Sequence, residues 1–281
     1  MKLIFFAVAG RSGSNYLTYL FNKFGKNCFS ECEAPDLIFK NNWVFGTLAR
    51  NFQRKWIVTD EMLGRGKALE WYELDRTHDK LNKIALNKIK RIKHLQRRYN
   101  FQTYVETGKF FIKSQCDVMY NNEPDLNLIK LTRNPLLNAK SFVNRNKDFS
   151  LDNVPPHYKQ NCLQLNTHTL SKYQLYLWNW FETELRYYRF IEKYNIQKYY
   201  DFKTENLSVK TEVEKLFKHF NINHEKMEFP KPINTNVSQG KPKTIITNAE
   251  VDQYLNFIDK IPDRLLKKIK YLNDFDPYSH L

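Results

Sequence analysis

The stretch FFAVAGRSGSNYLTYLF, Phe5–Phe21, decides the reading of this chain. A short apolar run stops at Gly10-Arg11-Ser12-Gly13-Ser14-Asn15. Apolar or aromatic side chains then recur at helical spacing at Tyr16, Leu17, Leu20, Phe21 and Phe24. The pattern predicts a buried strand over 2–9, a loop of small residues, and a helix over 14–24. The first N–H groups of such a helix have no intrahelical partner. Gly10 and Gly13 permit a tight turn and close backbone approach. Ser12, Ser14 and Asn15 add short polar groups, and Arg11 adds a planar cation able to make two hydrogen bonds to a phosphate. The unit therefore reads as an anion cradle on a helix N-terminus; the bland alternative is a tight turn with nothing bound. No Gly-Lys-Ser/Thr follows, and G-x-G-x-x-G does not fit, which disfavours an ordinary NTPase or dehydrogenase.

The chain is 281 residues long, 42% hydrophobic and 15% aromatic, which is enough for a sizeable core and excludes a disordered class. Lys and Arg total 45 against 30 Asp and Glu, a formal charge of +15 that favours anionic partners without choosing among nucleotides, nucleic acid, acidic glycans or anionic membranes. Cys28, Cys32, Cys116 and Cys162 are few and irregularly placed, and read as reduced thiols of an intracellular protein. Cys28 and Cys32 have a metal-like spacing without a second pair, so no metal is expected. The opening MKLIFFAVAG imitates a signal peptide, but its apolar run is short and reads better as the first strand. No stretch has the apolar length of a membrane span. A cytoplasmic protein is the expectation.

Further along, Cys28–Asp36 reads as a loop containing Glu31 and Glu33. Leu81, Ile84, Ile89, Ile92 and Leu95 make one helical stripe between Leu81 and Tyr99. The lysines and arginines between them read as a solvated basic face, or as a rail for a polyanionic acceptor. KFFIKS (109–114) reads as a second strand and LNLIKLT (126–132) as a third. NPLLNAKSFVNR then reads as a helix opened by Pro135. A long aromatic helix over 169–193, a strand at QKYYDF, a helix at KTEVEKLFKHFNI and a Pro- and Lys-rich loop over 231–247 follow. Strands alternating with helices predict an α/β fold, a parallel sheet flanked by helices on both faces, as one domain over 1–281.

GRSGSNYL resembles the 5′-phosphosulfate loop of the sulfotransferases that use 3′-phosphoadenosine-5′-phosphosulfate (PAPS) and release adenosine 3′,5′-bisphosphate (PAP). A second block, LIKLTRNPLLNAKSF, resembles the family's 3′-phosphate motif: an apolar strand, then Arg133, Pro135 and Ser141. An arginine at a strand end and a serine two turns into the next helix can close on one phosphate, and two anion sites on adjacent strand ends suit a nucleotide with phosphate on both sides. TENLSVKTEVEKLFKHFNI resembles a later family segment through Glu205, Asn206 and Leu207, with Thr204 where relatives carry a tyrosine near adenine. VSQGKPK resembles the late basic loop over the 3′-phosphate, through Lys241 or Lys243. The likeness runs from Met1 to about Lys243 in scattered blocks.

The resemblance implies a P-loop-like sulfotransferase fold and in-line transfer of a sulfuryl group to a hydroxyl or amine, with no metal. Arg11, Ser12, Gly13, Ser14, Asn15, Tyr16, Arg133, Ser141 and Lys241 would hold the nucleotide. Arg11 would face the leaving phosphate with Lys113, which matches a lysine ending a middle strand in relatives. Gln115 stands where cytosolic relatives have a histidine base and Ile112 where N-sulfotransferases have a glutamate, so both of those solutions are excluded. The tyrosylprotein type takes a glutamate after the first helix; Glu33 is the preferred base here, ahead of Glu31 and then Glu106. The acceptor is unread, with an acidic glycan or a peptide hinted at. The competing readings are a degenerate P-loop kinase or NTPase and a non-catalytic basic module for polyanions; no specific nucleic-acid motif supports the latter.

Overall fold

The computed structural model describes residues 1–32, 59–146, 148–229 and 244–279. Its centre is strand β1 (Lys2–Ala7), which is followed by helix α1 (Ser14–Phe24) and β2 (Cys28–Glu31). Helices α2 (Asp60–Leu63), α3 (Lys67–Leu74) and α4 (Asp79–Tyr99) lead to β3 (Thr103–Glu106). A tight π-type turn (Phe111–Gln115) runs into α5 (Cys116–Asn122), then β4 (Asn127–Thr132) and α6 (Pro135–Val143). The long α7 (Lys172–Tyr194), β5 (Tyr199–Lys203), α8 (Lys210–His219), α9 (Asn248–Ile258) and α10 (Asp263–Leu266) complete the described elements.

The five strands form one parallel sheet in the order β2-β3-β1-β4-β5. β1 is buried on both faces, as an unbroken apolar run in a parallel sheet must be. On one face Leu3, Phe5 and Ala7 join Tyr104 and Leu128 beneath α4, α5 and α7, with Phe5 stacked on Phe111 at 4.5 Å. On the other face Ile4, Phe6 and Val8 join Val105, Ile129 and Phe202 beneath α1 and α8, with Phe21 stacked on Phe217 at 4.9 Å. The expected α/β architecture with helices on both faces is therefore what the chain builds. The aromatic helix α7 opens with a capping box from Ser171 and Gln174 and ends on left-handed Asn195, so its register is fixed at both ends. α6 has the expected Pro135 start, and the Asn134 side chain caps the Leu137 N–H at 3.1 Å.

Two local expectations fail. The segment from Cys28 is not all loop: Cys28–Glu31 pairs in register with Thr103–Glu106 as an edge strand. KFFIKS is not a strand; the strand lies earlier, at Thr103–Glu106, and Phe111–Gln115 is the π-type turn. A run of fully buried apolar residues does not distinguish strand from helix by periodicity. Phe110, Phe111 and Ile112 are buried because the turn is enclosed between the sheet and α7, not because it joins the sheet.

Candidate functional site

β3, β1 and β4 are neighbours, so the segments leaving them at Ala7, Glu106 and Thr132 meet over the carboxyl edge of the sheet. That is where open α/β sheets take their ligands. The loop after β1 curls sharply, with Gly10, Arg11 and Gly13 at φ of 89°, 56° and 86°. Arg11 is a side-chain-bearing residue in the left-handed region, a conformation that costs on the order of 1–2 kcal/mol and persists only where its surroundings hold it.

What holds it is a set of donors to successive loop carbonyls. Asn179 Nδ2 on α7 donates to the Ala9 carbonyl at 3.2 Å, and Asn138 Nδ2 on α6 donates to that of Gly10 at 2.7 Å. Arg133 Nη1 donates to the Arg11 carbonyl at 2.8 Å, and Thr204 Oγ1 to that of Ser12 at 2.9 Å. The Gly13 carbonyl accepts from the Tyr16 and Leu17 N–H groups at 2.9 and 3.1 Å. In a planar trans peptide the N–H lies opposite the C=O. Carbonyls pinned back against the protein therefore aim the intervening N–H groups the other way, which is the arrangement of an anion nest at a helix start.

The structure brings Arg11, Arg133 and Ser141 together. Arg11 Nε donates to Ser141 Oγ at 3.2 Å, while Arg133 grips the Arg11 backbone. The Arg11 guanidinium thus leans toward α6 and joins the two expected phosphate sites, instead of standing alone over the loop. Burial, then the charges of Arg145 and Arg133, push the Arg11 pKa down to about 10. Burial also lowers that of Arg133, against an opposing pull from Glu205 and Tyr271. Both shifts mark a region where positive charge is held at a cost that a bound anion would relieve.

The other expected residues fall in different places. Ser12 is buried and faces inward, its Oγ donating to the Gly10 carbonyl at 3.1 Å and accepting from Asn138 at 3.2 Å. Ser14 Oγ lies 3.7 Å from Cys32 Sγ, Asn15 is exposed, and Tyr16 is half-buried beside Tyr19. Lys113 is buried in the π-type turn. Its Nζ donates to Asn153 Oδ1 and Asn179 Oδ1, each at 2.6 Å, and to the Asp152 carbonyl at 3.3 Å. It thus reaches the loop through Asn179. Glu33, Lys241 and Lys243 lie outside the described residues.

Two of the glutamates weighed as bases, Glu31 and Glu106, are held in buried ion pairs. Glu31 accepts both Nη groups of Arg91 at 2.5 and 2.8 Å and the Tyr104 hydroxyl at 2.5 Å. Glu106, its neighbour in register, accepts Lys88 Nζ at 2.6 Å and the same hydroxyl at 3.3 Å. Lys88 also reaches Gln115 Oε1 at 2.6 Å. The basic stripe of α4 is accordingly divided: Lys88 and Arg91 turn inward onto these carboxylates, while Lys83, Lys90, Arg97 and Arg98 are exposed.

Sequence reasoning missed Lys109, Asn138, Arg145, Asp152 and Asn179. Asn138 had a signal, since it stands one turn before Ser141 on the same helix face. Asn179 and the Lys109 stem meet the loop by tertiary contact, Asp152 pairs with Lys109 and Arg145 lends charge near Arg11, none with a local pattern. Among the described residues no group of three or more His, Cys, Asp or Glu is arranged to hold a metal, and no helix is long and apolar enough to cross a membrane.

No family model matches the chain, and no curated protein matches it in sequence. Solved structures do. A sulfotransferase domain from the curacin biosynthetic pathway superposes with a TM-score of 0.50 at 12% identity, over 97% of this chain and 97% of that one. Sulfotransferase STF9 from Mycobacterium avium superposes with a TM-score of 0.53 at 14% identity, over 98% of this chain and 76% of that one. The chain has the sulfotransferase fold.

Proposed function

We propose that this chain is a PAPS-dependent sulfotransferase that moves a sulfuryl group to a hydroxyl or amine of an acceptor. The observation that carries the reading is the contact chain Arg133–Arg11–Ser141 at the shared edge of β1 and β4. It gathers two phosphate-type motifs, far apart in sequence, around one loop whose carbonyls are held back. The fold agrees with it. In this reading the nest after β1, with Gly13, Ser14, Asn15 and Tyr16 at its helix start, takes the 5′-phosphosulfate. Arg133 and Ser141, with Lys241 from the late basic loop, take the 3′-phosphate.

Transfer is in-line. The acceptor oxygen or nitrogen bonds to sulfur as the bond from sulfur to the 5′-phosphate oxygen breaks, and PAP leaves with the extra negative charge. Arg11, whose guanidinium joins the two sites, stabilises that charge in this reading. Lys113 acts as a positioning residue, holding Asn179 and through it the Ala9 carbonyl. Glu33 takes the acceptor proton; a carboxylate at its reference pKa is ionised at neutral pH and ready to do so. The acceptor class is a hydroxyl or amine compound such as a glycan or peptide, and no nucleic acid or metal takes part.

Calorimetric titration with PAP, ATP and NAD tests the reading. PAP is expected to bind and the other two to bind far more weakly. Arg133→Ala removes a charge-assisted phosphate contact worth on the order of 1.5–3 kcal/mol, a loss of about 10- to 150-fold in PAP affinity. A wild-type chain that does not bind PAP, or an Arg133→Ala variant that binds it equally well, refutes the proposal.

A further inference from the structure

A second group of charges lies beside the loop at Gly10. Gly10 has no Cβ, and one built there would meet Lys109 Cδ at 3.1 Å and Phe142 Cζ at 3.1 Å. The aliphatic stem of Lys109 therefore lies directly on the first glycine of the anion loop. Its ammonium, two bonds beyond Cδ, hydrogen-bonds Asp152 Oδ2 at 2.8 Å. Asp152 is 4% exposed. Its other carboxylate oxygen lies 3.4 Å from Arg65 Nη2, and its carbonyl accepts from Lys113. Lys109, Arg65 and Lys113 also surround the ring of Phe110, at 4.9, 5.6 and 6.0 Å from its centroid. Three cations thus converge on one ring, and the buried carboxylate among them is Asp152.

An ion pair of this kind gives a lysine two places to be. The lysine stem is flexible and its ammonium is a compact charge with three rotatable donors. Rotation about its last two bonds swings the ammonium while the stem stays on the glycine. An incoming anion on the loop competes with Asp152 for that ammonium, and Arg65 stays behind to hold the vacated carboxylate. The pair is also positioned to neutralise the cluster while the loop is empty, when like charges would otherwise repel one another.

We propose that Asp152 is a built-in counter-ion that holds Lys109 off the loop until the donor binds, and that Lys109 then turns to the phosphosulfate end of the nucleotide. This rests on the donor reading above. It assigns to Lys109 a direct contact with the donor, and to Asp152 a positioning role exerted through Lys109. Because the loop is the 5′ side of the site, the exchange answers to the 5′ group and not to the 3′-phosphate.

The test is PAP affinity by calorimetry for the wild type, Lys109→Met, Asp152→Asn and the double variant. Methionine keeps the stem over Gly10 and removes the charge. Lys109→Met is expected to weaken PAP binding about tenfold, the scale of one charge-assisted contact. Asp152→Asn, which releases the lysine, is expected to tighten it about threefold or more, and the double variant to match Lys109→Met. A structural Asp152 would give weaker or unchanged binding instead. Should Asp152→Asn not fold, the wild type still decides. With 13C-labelled lysine, the Lys109 Cε resonance, assigned through Lys109→Met, must shift on adding PAP and stay in place on adding adenosine 3′-monophosphate. An unmoved resonance with PAP, unchanged affinity in Lys109→Met, or no gain in a folded Asp152→Asn variant overturns the inference. A wild type that does not bind PAP overturns the donor reading itself, so the two failures are distinct.

Discussion

Gly13→Ala is the sharpest probe of how the loop is built. Gly13 is the N-cap of α1 at φ 86° and ψ 16°, in the left-handed region. An alanine there incurs the left-handed penalty, on the order of 1–2 kcal/mol. Its Cβ would also stand 2.4 Å from Leu207 Cδ1, well inside contact distance, and Leu207 is only 7% exposed. Pushing a buried leucine aside is an overpacking cost of about 1–3 kcal/mol. The sum is about 2–5 kcal/mol, a large share of the ~5–15 kcal/mol that keeps a typical domain folded. The two costs separate experimentally. Leu207→Ala alone leaves a cavity and is expected to destabilise by about 2–3 kcal/mol. In Gly13→Ala/Leu207→Ala the clash is gone and the backbone penalty stays, so the double variant should be more stable than the sum of the singles by about 1–3 kcal/mol. Urea unfolding followed by circular dichroism, with matched m-values, measures all three. PAP affinity should fall in Gly13→Ala and recover only in part in the double variant. Additivity within about 0.5 kcal/mol would show that Leu207 does not wall the loop, and a Gly13→Ala cost below that would show that the left-handed turn does not define it either.

Other expectations follow from the same contacts. Glu31→Gln leaves Arg91 and the Tyr104 hydroxyl without their buried carboxylate and should cost about 3 kcal/mol in urea unfolding. Glu33→Gln should instead leave stability and PAP affinity unchanged and abolish turnover of PAPS, and retained turnover would refute Glu33 as the base. The Arg11 pKa of about 10 lies below the ordinary arginine range because burial and two neighbouring arginines disfavour its charge. A bound anion reverses that, so PAP binding should take up a proton near pH 10, and affinity should fall as pH rises through about 10. Calorimetry in buffers of different ionisation enthalpy would detect the uptake, and affinity that stays level beyond pH 10 would refute the link.

The fold was legible where the pattern is local. The apolar run of β1, the glycine loop, the α1 stripe and the Pro135 start each declare themselves within a dozen residues, and the alternation of strands and helices then selects a parallel sheet. β2 and β3 were missed because each is four residues long and carries a glutamate, Glu31 and Glu106, on a face that reads as half-polar. Those glutamates are admitted only because α4 delivers Arg91 and Lys88 to them across 60 and 18 residues. A charge that would argue against a buried strand is tolerated once its partner is supplied from elsewhere, and no window along the chain contains both.

The candidate site divides along the same line. A glycine, an arginine at a strand end and a serine two turns into a helix carry their meaning in their type and spacing, so Gly13, Arg133 and Ser141 could be picked out. The loop's shape rests on something else: Asn179, Asn138, Arg133 and Thr204, from three separate segments, each taking one carbonyl between Ala9 and Ser12. A lone asparagine or threonine has no signature, because what makes it matter is the direction of a peptide unit more than 100 residues away. Thr204 shows the consequence. Judged against the relatives' tyrosine it reads as a loss of a ring near adenine, yet its hydroxyl reaches the Ser12 carbonyl and fixes the last turn before α1. A tyrosine in its place would take that hydroxyl away from the loop. Position 204 is thus better understood as a brace for the anion loop, whatever packs against the base.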